Sequence, residues 1–174
     1  MLQVVFSALV MAGQLVGMTM GLGFATLVDP QNGIQVPVVS RYYVTLASLL
    51  FLALDGHLAL FSLVAESFRT LPVAPIGLHA DDLRRLALWG GELFAGGVLV
   101  GLPVVVALLL ANLVFGVITR AAPQLNIFAV GFPATLALGF AVILFALPGF
   151  HPEFARLLGR AFAFLGSLTG SGHG

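Results

Sequence analysis

Residues 1–28 carry no charge, and this apolar run exceeds the about 20 residues that a helix needs to cross hydrocarbon. The pattern predicts a hydrophobic helix over 1–28. A cleavable leader fits less well, because no basic residue precedes the run and a leader's apolar core spans only about 7–15 residues. Asp29-Pro30 ends the helix, since proline disfavours helical geometry in the residue before it, and Gln31-Asn32-Gly33 adds turn formers. Over residues 42–68 the chain is apolar from 42 to 54 and again from 58 to 65, interrupted by Asp55-Gly56-His57 and closed by Glu66, and reads as an interrupted helix or a hairpin.

Pro72, Pro75, Gly77, Asp81, Asp82, Arg84 and Arg85 then mark 69–85 as the main solvated loop, with Asp81 placed to cap the next helix. Two further hydrophobic helices are predicted over 86–119 and 124–150, joined by a tight turn at Ala122-Pro123. Over 153–168, Phe154, Leu157, Leu158, Phe162 and Leu165 recur at helical spacing while Arg156 and Arg160 share another face, which predicts a short amphipathic helix. The expected fold is all-α: a single domain over 1–174, made of membrane-associated long helical hairpins with Gly- and Pro-broken hydrophobic helices and a C-terminal amphipathic helix. If four segments span, Arg69, Arg84, Arg85, Arg156 and Arg160 lie on one side against Arg41 and Arg120 on the other, and the first side faces the cytoplasm.

Composition hardens this picture. Of 174 residues, 60% are hydrophobic and 8% charged, where a soluble domain has about 25% charged. The apolar faces must therefore meet lipid or other protein. Net charge is zero and lysine is absent, which excludes a basic nucleic-acid surface and a phosphate-binding GxxxxGK[ST] loop. Gly21-Leu22-Gly23 does not extend into GxGxxG. Without cysteine there is neither a disulfide framework nor thiol chemistry. His57, His79, His151 and His173 stand apart without HxxxH or HExxH spacing, so no metal site is expected.

Gly13, Gly17 and Gly21 recur every four residues, and Gly97 and Gly101 repeat the interval, a spacing that lets helix backbones approach closely. Asp55 and His57 are ionisable groups inside an apolar stretch, which points either to a proton relay or to a polar helix end beside a break at Gly56. No nucleophile or third orienting group accompanies them, so the helix-end reading is preferred. Pro103, Pro133 and Pro148 sit in or beside apolar runs, where they kink or break helices.

Three strings, AGQLVGMTMGLGFATLVDP, DGHLALFSLVAESFRTLP and RAAPQLNIFAVGFP, in this order and spacing, resemble the FliR family of flagellar and type III secretion export-gate proteins. In members of that family about a third of the protein precedes the segment matching Met1, so the chain is expected to lack that part. Gln14 stands where the family commonly has Glu, and Leu27 where it often has a bulky aromatic. The resemblance implies a structural and gating subunit of the protein-export channel, in the bacterial inner membrane at the flagellar basal body, with no catalytic residue and no cofactor. FliP-like and FliQ-like subunits and other flagellar export components are the implied partners, with unfolded proteins in transit and the lipid membrane. A pore plug over 21–37 is implied, with Gly21, Gly23, Phe24, Leu27, Asp29, Pro30, Gly33 and Pro37 as its residues. Packing and assembly positions would be Gly13, Gly17, Gly97, Gly101, Asp55, Gly56, His57, Arg120, Pro123, Gln124, Asn126, Phe128, Gly131 and Pro133. An injectisome homologue is the near alternative, a small-solute transporter the next, and a membrane enzyme the third.

Overall fold

A computed structural model describes residues 1–23, 38–70, 80–121 and 127–170. Those residues form six helices: α1 (Leu2–Thr19), α2 (Val38–Ala53), α3 (Gly56–Thr70), α4 (Ala80–Trp89), α5 (Gly91–Ala121) and α6 (Ile127–Gly170). The all-α expectation holds. Among the described residues three stretches are long and apolar enough to cross a membrane, Leu2–Thr19, Asp81–Ala121 and Gly131–Leu168, or four if the α2–α3 pair, bent by 67°, counts as one.

α1 sits at the centre, between α2 on one side and α5 on the other. Val5, Ala8, Leu9, Ala12, Gly13, Val16 and Gly17 are buried on it, a set wide enough to serve both neighbours. Leu9 and Val16 join Val104 and Leu108 of α5 and Phe154 of α6 in one core. Phe6, Phe51, Phe150, Phe154 and Tyr43 form a chain of edge, tilted and stacked ring contacts that links α1, α2 and α6.

Several predicted boundaries move. The first helix does not run to residue 28 but ends at Thr19, because Gly21 turns the chain away from the helix axis. Asp81, Asp82, Arg84 and Arg85 are helical rather than looped, because α4 starts at Ala80 and takes both aspartates into its first turn, where the helix dipole favours them. The 86–119 helix is divided at Gly90, and its larger part, α5, continues to Ala121.

The largest departure is at the C-terminal end, where the helices expected over 124–150 and 153–168 are one helix of 44 residues. Pro133, Pro148 and Pro152 lie inside it without ending it. In an apolar setting a helix keeps its remaining internal hydrogen bonds even where proline removes one, since no water offers the freed groups an alternative. At about 1.5 Å per residue α6 is roughly 66 Å long, about twice the hydrocarbon thickness, so the count of spans does not follow from the count of apolar runs.

Candidate functional site

The end of α1 is built by its glycines. Gly21 has φ 82°, the left-handed conformation that costs glycine nothing. Leu22 N–H donates to the Gly17 carbonyl at 3.0 Å and Gly21 N–H to the Met18 carbonyl at 3.0 Å, the paired bonds of a Schellman ending. This terminates α1 well before Asp29-Pro30. Met20, buried, lies over Gly139 of α6, where an added Cβ would meet its Cγ at 2.7 Å. Across from it, Asn112 Nδ2 of α5 donates to the Thr19 carbonyl at 3.2 Å. An open cleft of about 730 Å³ lies beside this ending, lined by Met18, Met20, Asn112, Phe115, Phe132 and Thr135 among others.

Of the expected plug residues, Gly21 and Gly23 are thus placed at the exit of α1, with a Cβ on Gly23 4.0 Å from the Met18 side chain. Phe24, Leu27, Asp29, Pro30, Gly33 and Pro37 lie outside the described residues.

The packing glycines fall on two different faces. A Cβ on Gly13 would overlap the Ser40 Cα and lie 2.6 Å from its N, so α1 and α2 touch backbone to backbone there. Ser40, buried, donates from Oγ to the Val10 carbonyl at 2.9 Å at the same crossing. Opposite, a Cβ on Gly97 would lie 2.9 Å from the Ala8 carbonyl oxygen and one on Gly101 3.4 Å from that of Ala12. Gly17 is buried on α1. The small residues therefore hold α1 between two neighbours.

Asp55 and its neighbours make the α2–α3 corner. Asp55 has φ 54°, a left-handed conformation that aspartate tolerates better than most residues. Its carbonyl accepts the Ala59 N–H at 3.0 Å, which opens α3. At Gly56 a Cβ would lie 2.5 Å from two Phe51 ring carbons, so glycine is what lets the corner close on the ring. His57 Nδ1 is buried with no hydrogen-bond partner. Asp55 is exposed at this corner and forms no ion pair among the described residues.

The last group is dispersed. Arg120 is exposed near the end of α5, Gly131 offers its carbonyl to Thr135 Oγ1 at 2.7 Å, and Pro133 is in the second turn of α6. Pro123, Gln124 and Asn126 lie outside the described residues, and Phe128 is helical with its side chain outside them.

The sequence reading missed four contributors. Asn112 is an isolated polar residue in an apolar run, the signal that an interhelical hydrogen bond leaves, whereas Ser40 stands beside Arg41 and gives no such signal. Arg85 and Arg160 fasten the α4–α5 corner to α6: Arg85 donates to Ser167 at 3.0 Å and covers the Phe164 ring, on which Trp89 stacks, and Arg160 donates to Glu92 at 3.0 Å. Both arginines lie far in sequence from these partners, so no spacing rule could pair them. Among the described residues no three His, Asp or Glu side chains converge as a metal site would need.

A large apolar surface is left uncovered. Phe145 is 87% exposed, Phe68 80%, Phe61 69% and Leu113 65%. The profile of the bacterial export proteins, family 1, matches residues 1–161.

The chain belongs to the FliR family of bacterial export proteins.

It is 44% identical over 167 residues to the flagellar biosynthetic protein FliR of Pectobacterium carotovorum subsp. carotovorum and 38% identical over 167 residues to that of Escherichia coli strain K12. Each match takes in 96% of the chain and 64% of the relative. The protein of that name from Aquifex aeolicus is 33% identical over 147 residues, 84% of the chain and 57% of the relative. The chain therefore spans less than two thirds of the length of these FliR relatives. Family membership and the apolar helices together describe a membrane protein of the export type.

Proposed function

We propose that the protein is a structural and gating subunit of the flagellar type III protein-export channel, without catalytic residues or a cofactor of its own. The observation that carries this reading is the match to flagellar FliR proteins over 96% of the chain. The uncovered apolar surface supports it physically, because side chains such as Phe145 and Phe68 need protein or lipid against them. FliP-like and FliQ-like subunits are the proposed neighbours, the bacterial inner membrane at the flagellar basal body the proposed location, and unfolded flagellar proteins the cargo in transit. The relatives' names favour the flagellar system over an injectisome.

In this reading the segment after α1 obstructs the pore. Phe24 and Leu27 supply apolar bulk against water and ions, and Gly33 and Pro37 delimit the obstruction. Support comes from the way Gly21 turns the chain off the α1 axis beside the cleft. Deleting residues 24–28 in the full-length protein, assembled in its membrane, is expected to leak ions while leaving assembly intact. Unchanged permeability of the assembled gate would reject the plug.

A further inference from the structure

Tyr43 of α2 is buried, with 3% of its surface exposed, and its ring lies 5.3 Å from that of Phe150 on α6. Its hydroxyl makes no hydrogen bond among the described residues. Leaving a buried hydroxyl unpaired costs about 1–3 kcal/mol, and buried polar groups in folded proteins are nearly always paired. Tyr43 lines a cavity of about 360 Å³ between α2, α5 and α6, together with Leu99, Pro103, Phe150 and Glu153 among others.

Two more acceptors belong to this wall. Pro103 lies inside α5 and has no N–H to give the Leu99 carbonyl four residues before it. Positions four apart share a helix face, and both line the cavity, so the carbonyl that Pro103 leaves unmatched is on the cavity side. Glu153 brings a carboxylate, already bound by Arg156, whose Nε donates to it at 3.1 Å. A phenol, a peptide carbonyl and a carboxylate from three helices thus border one space in an otherwise apolar bundle.

Water is the ligand that this set fits. An apolar guest would leave the Tyr43 hydroxyl and the Leu99 carbonyl unpaired. A bare cation would find the Glu153 charge already balanced by Arg156. The volume is many times the about 10–15 Å³ that one water requires, and water is held where two to four polar partners are within its reach. We propose that a held water cluster bridges the Tyr43 hydroxyl, the Leu99 carbonyl and the Glu153 carboxylate. The cluster makes Pro103 a joint, because water keeps the Leu99 carbonyl paired as α5 bends there. This water site stands whether or not the protein is an export subunit.

The test is X-ray radiolytic oxidation of the full-length protein in its membrane assembly, in which water split in place oxidises the side chains beside it. Phe150 and Phe154 are both buried and their rings stack 6.4 Å apart, but only Phe150 lines the cavity. Phe150 is expected to be oxidised about tenfold faster than Phe154. Tyr43→Phe, which removes the hydroxyl and keeps the ring, and Pro103→Ala, which returns an N–H to the Leu99 carbonyl, should each slow Phe150 oxidation about threefold. Tyr43→Phe should also lower the thermal midpoint in detergent by about 2–4 °C, since it removes a satisfied hydroxyl. Equal oxidation of Phe150 and Phe154 overturns the proposal by showing a dry site. A Phe150 rate unchanged by either substitution overturns it too, since bulk solvent rather than held water would then be the source. So does a raised midpoint for Tyr43→Phe, which would show that the hydroxyl had no partner.

Discussion

α1 and α3 are both short, apolar helices, yet one is the centre of the molecule and the other clings to its edge. α1 buries seven residues on faces that serve two neighbours, and glycine or alanine stands wherever a backbone comes near. α3 exposes Phe61 and Phe68, and among its described side-chain positions Gly56 alone is buried. Hydropathy separates them in part, since α1 is apolar enough to cross a membrane by itself whereas α3 carries Glu66 and Arg69. The size of the side chains adds the rest: small residues mark where this chain packs on itself, and large exposed ones mark where it awaits a cover.

The strongest way to break the contrast is to add bulk on α1. Gly13→Val drives a branched side chain into the Ser40 backbone, which has no rotamer to move away, and is expected to destabilise the protein by about 3 kcal/mol or more. Thermal unfolding in detergent, followed by circular dichroism, measures it. A wild-type midpoint would mean that α1 and α2 are not in backbone contact.

A finer cut compares two glycines of α5. Replacing a helix-interior glycine by alanine gains about 1 kcal/mol of helix propensity, and the neighbours decide whether the gain survives. Gly97→Ala places its Cβ 2.9 Å from the Ala8 carbonyl oxygen and should be net destabilising by about 1 kcal/mol. Gly101→Ala has 3.4 Å of room and should be near neutral. Equal effects at the two sites, in the same unfolding assay, would show that the α1–α5 spacing is uniform instead of closing toward Gly97.

At the other extreme, Phe68→Ser removes a large apolar side chain that touches little of its own molecule. For the protein made alone the expected change is below about 0.5 kcal/mol, in sharp contrast to Gly13. A large loss would mean that the outer stripe of α3 supports the fold itself.

The same contrast explains how far the chain could be read from its residues alone. The helical class, the glycine contacts and the break at Asp55-Gly56-His57 were legible, because each rests on spacing within one segment. The end of α1 was not, since Gly21 looked like part of a packing stripe until its positive φ and the bonds to Gly17 and Met18 showed it to be a terminator. The unbroken course of α6 through Pro148 and Pro152 was hidden for a different reason: proline rules calibrated on solvated helices overstate the breaking power of proline in apolar surroundings. Contacts such as Arg160 with Glu92 depend on which ends of α5 and α6 meet, which no local pattern encodes. Of the proposed site, the family strings carried the plug residues, and physical reasoning contributed the packing glycines.

The native mass of the full-length protein, extracted from its membrane in mild detergent, decides whether its uncovered apolar faces are subunit interfaces. A hetero-oligomer is expected, in which this protein is held with other export subunits whose surfaces cover residues such as Phe145 and Phe61. A monodisperse single chain, stable once detergent is withdrawn, would contradict it.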